Sequence, residues 1–203
     1  MHKQMVLSVL ACLSFLTTPA WAEIIGVNWA DEVVEYTPNI QNYAGVLLSA
    51  DTAWWLTGPA DCDCDDNGYV WDPADQDTVA GWRAAAPNES VTMYWSAGIP
   101  DLPGDDLAIH VYGGPIAAAD VFASVDGSSF ELVGAIGGGT PGYLREETFD
   151  FAGVFASDVQ YVKVVRTASG PQTGMFFDAF SGVVPEPASL LLLCWVGLGL
   201  RRR

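Results

Sequence analysis

An all-β protein built as an antiparallel sandwich is the fold class that this sequence predicts, on three observations. Apolar residues between Glu23 and Val183 recur with period two, Asp-Gly and other glycine turns separate the runs, and no window in that span carries a helical stripe. The whole chain has 203 residues, 50% hydrophobic and 12% aromatic, and sets 25 acids against 8 bases for a net charge of −17. That apolar content excludes a disordered chain. The negative charge repels phosphate, which excludes nonspecific binding to nucleic acid and docking on anionic lipid.

The elements follow in order. Ser90 to Trp95 alternates, with Val91, Met93 and Trp95 on the face that must turn inward. Asp106 to Tyr112 repeats the pattern with Leu107, Ile109 and Val111. Asp120 to Val125 and Ser129 to Ile136 flank Asp126-Gly127-Ser128, where Asp-Gly is the strongest short hairpin signal. Glu147 to Phe151, Gln160 to Arg166 and Met175 to Val183 complete the strands. Gly137-Gly138-Gly139 precedes no helix pattern and reads as a turn. Short strands with long connections between some of them point to a jelly-roll type of sandwich rather than a barrel.

Both ends read as addresses. Residues 1–22 hold a basic start at Lys3, an apolar run from Met5 to Leu16 and the sequence Ala20-Trp21-Ala22, the three parts of a secretory signal peptide cleaved after Ala22. Residues 184–203 hold Pro185-Glu186-Pro187, an apolar run to Leu200 and the cluster Arg201, Arg202 and Arg203. Those arginines stay on the cytoplasmic side, and the prolines keep the preceding segment extended. From Ala188 to Leu200 the helix would be ~20 Å long, short of the roughly 30 Å of a hydrocarbon core. A segment that pauses in the membrane suits a membrane protease.

Pro-Glu-Pro, a short apolar helix and a terminal arginine cluster, in that order, resemble the PEP-CTERM sorting signal of Gram-negative bacteria that make exopolysaccharide. The resemblance implies that an exosortase recognises Pro185, Glu186 and Pro187, cuts nearby, and releases or re-attaches the protein outside. The protein would be transiently anchored in the inner membrane, then cell-surface or extracellular. A second resemblance covers most of residues 33–183: Thr57-Gly58-Pro59-Ala60-Asp61, Gly104-Asp105-Asp106-Leu107-Ala108-Ile109, Val125-Asp126-Gly127-Ser128-Ser129-Phe130 and Phe177-Asp178-Ala179-Phe180 are similar to landmarks of exported jelly-roll domains. Such domains are similar to galactose-binding-like and discoidin-like modules, and residues 61–86 look like an insertion relative to them.

Removing both ends leaves residues 23–183, with four bases against 24 acids and a net charge of −20. A chain of that length buries roughly 70% of its unfolded surface, enough for one core. Seven of the acids lie between Asp61 and Asp77. There Asp63, Asp65 and Asn67 follow the spacing of a calcium loop, Gly68 supplies its sharp turn and the Tyr69 carbonyl comes next. Ala74 stands where an EF-hand has its bidentate Glu, with Asp72 and Asp75 on either side. The segment is therefore an irregular calcium loop or a solvated acidic loop. Cys62 and Cys64, the two cysteines of this span, form a strained disulfide if they pair with each other; zinc lacks ligands.

No motif for a nucleophile, a metalloprotease or a phosphate loop occurs. His110 alternates with Ile109 and Val111 and belongs on the outer face, as a rim histidine before a base. Trp95 belongs in the core. Trp54 and Trp55 adjoin, so in an extended segment one faces out, as a sugar platform or as packing. The expectation is a non-enzymatic exported protein that binds or organises exopolysaccharide. A secreted glycosidase with paired carboxylates and a ligand-free matrix protein are the alternatives.

Overall fold

The computed structural model describes residues 26–42, 44–60, 79–83, 88–140, 143–170 and 172–184. Among them the strands are β1 (Gly26–Trp29), β2 (Glu32–Tyr36), β3 (Gln41–Asn42), β4 (Ala80–Trp82), β5 (Ser90–Ile99), β6 (Leu107–Gly113), β7 (Ala119–Ser124), β8 (Glu131–Ile136), β9 (Leu144–Phe149), β10 (Val159–Arg166) and β11 (Met175–Val184), with one 3₁₀ turn at Ala53–Leu56. One sheet runs β3-β4-β11-β6-β9, and the other runs β2-β5-β10-β7-β8. β1 pairs with β11 at residues 181–184 and β4 pairs with it at residues 175–177, so they share one edge of that strand. Each of these pairings is antiparallel, and the two sheets make a sandwich.

Alternation places the core. Val91, Met93 and Trp95 of β5, Leu107, Ile109 and Val111 of β6, and Val162 and Val164 of β10 are fully buried in one cluster between the sheets. Their neighbours in sequence point outward. In β11 the phase slips: Phe177 and Phe180, three residues apart, both reach the core because a bulge at Asp178 absorbs one residue. Trp95 ties the layers together, its indole N–H donating to the Asn28 carbonyl of β1 in the other sheet at 2.9 Å. The core lies within Gly26–Val184, which forms a compact unit.

The expected hairpin is present between β7 and β8. Gly127 takes φ 71°, and the Asp126 carboxylate accepts the backbone N–H groups of Ser128 at 2.8 Å and Ser129 at 2.9 Å. Those bonds, Ser129 first, hold the Asp126 carboxyl far below the usual carboxylate range. Ser129 consequently belongs to the turn, and the strand starts at Glu131. The strand expected at Glu147 to Phe151 lies instead at Leu144–Phe149. Its end is set by buried Asp106, whose carboxylate accepts from Phe151 N–H at 2.8 Å and Leu102 N–H at 2.7 Å and so takes Phe151 out of the ladder.

Residues 1–22 with Ala20 and Ala22, the acidic segment with Cys62, Cys64, Asp63, Asp65, Asn67, Tyr69, Asp72 and Asp75, and the C-terminal residues Pro185 to Arg203 lie outside the described residues. Among the described residues no helix is long and apolar enough to cross a membrane.

Candidate functional site

Outward-facing positions of β2, β5, β10 and β7 build a polar and aromatic surface on the five-stranded sheet. The register sets Tyr94 opposite Tyr161, and Tyr161 opposite Ser124. One step along the strands, Glu35, Thr92, Lys163 and Phe122 follow one another across four strands. Two-residue spacing separates these rows by about 7 Å. The phenol rings of Tyr94 and Tyr161 lie side by side, centroids 5.1 Å apart and tilted by 42°. Both are half-exposed.

The surroundings hold the pair in place. Gly127 packs against the Tyr161 ring so closely that a Cβ there would lie 3.1 Å from it. Glu35 accepts from Lys163 Nζ at 3.2 Å and from the Thr92 hydroxyl at 3.4 Å, and the same ammonium stands 5.7 Å from the centre of the Phe130 ring. At the other end Asp31 accepts both the hydroxyl and the N–H of Ser96, at 2.7 Å and 2.6 Å, which lowers its carboxyl below the ordinary value. A fixed aromatic surface beside a carboxylate and an ammonium can stack the C–H face of a pyranose and meet its hydroxyl groups.

The other sheet carries a second grouping. His110 of β6 and Glu146 of β9 are register partners, Nε2 to Oε2 3.4 Å, and the Trp29 ring of β1 stands 6.1 Å from the imidazole at 47°. Burial pushes the His110 imidazole below its ordinary value, and Glu146 opposes this only in part. Ile109 and Val111 are fully buried while His110 is half-buried, as alternation required. Beyond it Tyr112, Phe176 and Val79 form a small buried cluster of their own.

Trp54 and Trp55 sit in the 3₁₀ turn rather than in extended chain. Adjacent residues there point about 120° apart, so Trp55 is buried while Trp54 remains 53% exposed, its ring edge-on to its neighbour at 6.2 Å. Arg145 borders a shallow depression of about 400 Å³ with Thr140 and Tyr143. Its guanidinium is engaged by Glu147 at 2.6 Å and the Gly137 carbonyl at 2.5 Å. Among the described residues no three His, Cys, Asp or Glu side chains gather as a metal site.

Sequence reasoning singled out His110 and Trp54 but missed Tyr94, Tyr161, Lys163 and Glu35. The signal was present: Tyr94 and Tyr161 are aromatic residues on the polar phase of strands whose apolar phase was already assigned to the core.

No protein-family model and no curated protein matches the sequence. Among solved structures the chain is similar to a CBM32 module from a family 31 glycoside hydrolase of Clostridium perfringens, at 15% identity and TM-score 0.39, covering 64% of this chain and 89% of that one. It is similar to the C-terminal domain of a Bacteroides fragilis chitobiase, at 15% identity and TM-score 0.41, covering 78% and 94%. A CBM6 module of Clostridium stercorarium in complex with cellobiose matches at 14% identity and TM-score 0.40, again covering 78% and 94%. The likeness is one of general outline.

Proposed function

We propose that this chain is an exported, non-enzymatic sandwich of jelly-roll type that binds or organises exopolysaccharide through the outer face of its five-stranded sheet. The observation that carries the reading is the Tyr94–Tyr161 pair, 5.1 Å between ring centres, beside Thr92 and the Lys163–Glu35 pair. A binding role without turnover is supported by Glu35 being shared between an ammonium and a hydroxyl. The test is titration of exopolysaccharide into residues 23–184, with assay of reducing ends. Binding without new ends supports the reading, and release of new ends favours the glycosidase.

Export and sorting rest on the sequence of the two ends. An exosortase acts on Pro185, Glu186 and Pro187, with Arg201, Arg202 and Arg203 held on the cytoplasmic side, and delivers the protein through a transient inner-membrane stage to the cell surface or medium. Deleting residues 185–203 abolishes processing on this reading; unchanged processing refutes it. Calcium binds Asp63, Asp65, Asn67, Asp72 and Asp75 with the Tyr69 carbonyl, an oxygen-rich set that begins with the spacing of a calcium loop. A calcium-dependent rise in Tm tests it, and no rise removes the site.

A further inference from the structure

We propose that the ligand of the five-stranded sheet is a polymer of amino sugars with free, protonated amines, its rings on Tyr94 and Tyr161 and its amines along a line of carboxylates at the β2 margin. The inference rests on the function proposed above and adds the ligand class of that same surface.

The line follows from strand register. Thr92, Tyr94 and Ser96 are successive outward positions of β5, about 7 Å apart, and a carboxylate from the β2 side stands at each. Glu35 is the register partner of Thr92 and Glu32 that of Tyr94, while Asp31 accepts from Ser96 through its Oδ2 alone. Residues three apart on a regular strand point to opposite faces. A bulge between Val33 and Glu35 absorbs the odd residue and keeps Glu32 and Glu35 on one face. All three acids are exposed. On the far side of Tyr161 the β7–β8 hairpin adds exposed Asp126, next in the chain to the Gly127 that packs against the phenol ring. The N–H groups of Ser129 and Ser128 hold its carboxyl far below the usual carboxylate range, so it stays ionised.

Charge selects the ligand. Of the four bases in residues 23–183, Arg83 follows β4 and Arg145 lies on β9, both in the other sheet, and Arg166 is buried against Glu89. Lys163 is the base on this face, and Glu35 already engages it at 3.2 Å. Four carboxylates, Asp31, Glu32, Glu35 and Asp126, thus surround the phenol pair against one ammonium. A polyuronate chain meets repulsion there. A neutral chain can stack on the rings but brings no counter-charge. An amino-sugar chain does both: its ammonium groups donate charge-assisted hydrogen bonds to the carboxylates, and the faces of the phenol rings attract cations. Each exposed pair is weak by itself, so selectivity comes from meeting several along the strand.

The experiment titrates residues 23–184 at about pH 6, where amines are protonated, with oligomers of glucosamine, N-acetylglucosamine and glucose. These share one backbone linkage and differ in one substituent; oligogalacturonate and the exopolysaccharide complete the panel. Expected is glucosamine oligomer binding about 10-fold or more tighter than the two neutral ones at low salt, a gap that closes at about 0.5 M salt, and no binding of galacturonate. Glu32→Gln lowers affinity for the glucosamine oligomer by about two- to five-fold and leaves that for the glucose oligomer unchanged. Glu146→Gln removes the same charge from the outer face of the opposite sheet and changes neither. Equal loss from Glu32→Gln and Glu146→Gln means general attraction of a polycation to an acidic domain and overturns the carboxylate line. Equal affinity for the amine and neutral oligomers, preference for galacturonate, or binding of the exopolysaccharide by a protein that takes none of the oligomers overturns the ligand class and leaves the function standing. Failure to bind the exopolysaccharide and every oligomer overturns the function itself.

Discussion

Arg166 and Glu89 form an ion pair at 2.9 Å that is almost wholly removed from water: the Arg166 side chain is 0% exposed and that of Glu89 is 7% exposed. Arg166 also donates to the Thr173 carbonyl at 3.0 Å and to the Thr173 hydroxyl, and Asn39 donates to Glu89 at 3.1 Å. The pair thus pins the end of β10 to the segments around residues 39, 89 and 173. Glu89→Ala leaves a buried guanidinium without its counter-charge and is expected to cost about 3–5 kcal/mol, whereas Glu89→Leu with Arg166→Met recovers most of that loss. Urea unfolding of the three proteins measures it.

The bond from fully buried Trp95 to the Asn28 carbonyl joins the two sheets. Trp95→Phe retains the aromatic packing and leaves that carbonyl without its donor. The expected loss is about 1–3 kcal/mol in urea unfolding, with β1 amides exchanging faster than those of β10.

Much of the fold was legible because the inward residues of β5 up to Trp95 and of β6 recur with period two. Val91-Met93-Trp95 and Leu107-Ile109-Val111 could be placed in the core from spacing alone, and Asp126-Gly127 marked its hairpin. The strands that were not legible have physical reasons. β3 and β4 have two and three residues, too few to show a period, and β4 contains Gly81. β1 and β2 have four and five residues, too few to set a period apart, and each lies on a sheet edge. The bulge at Asp178 hid from a period-two reading because it shifts phase within one strand. The candidate surface was half legible: alternation tells which residues point outward, but only strand order, β5 beside β10, brings Tyr94 to Tyr161.

Gly81 faces Phe176 where β4 meets β11, and a Cβ there would lie 2.0 Å from the Met175 carbonyl oxygen. Gly81→Ala forces the strands apart and is expected to cost about 1–3 kcal/mol or more. Gly137→Ala, where a Cβ meets nothing within 4 Å, should remain within about 0.5 kcal/mol of the parent. Paired thermal melts check the contrast.

Burial lowers the His110 imidazole below its ordinary value, so the folded protein prefers it neutral. The unfolded chain takes up the proton first as pH falls through about 6.5, and the stability contributed by this group is complete above that value and declines below it. His110→Gln removes that part of the slope. Urea midpoints of both proteins at about pH 7.5 and about pH 5.5 test the sign: the parent loses more stability on acidification than the variant.

Tyr161 decides the central claim, since it lies at the middle of the surface, with Tyr94 on one side and Gly127 against its ring. Titration of exopolysaccharide into residues 23–184 with and without Tyr161→Ala measures its contribution. Loss of one stacking aromatic corresponds to about 1–3 kcal/mol, or roughly 5- to 150-fold in Kd, relative to the parent. Unchanged affinity in a folded protein would contradict the account.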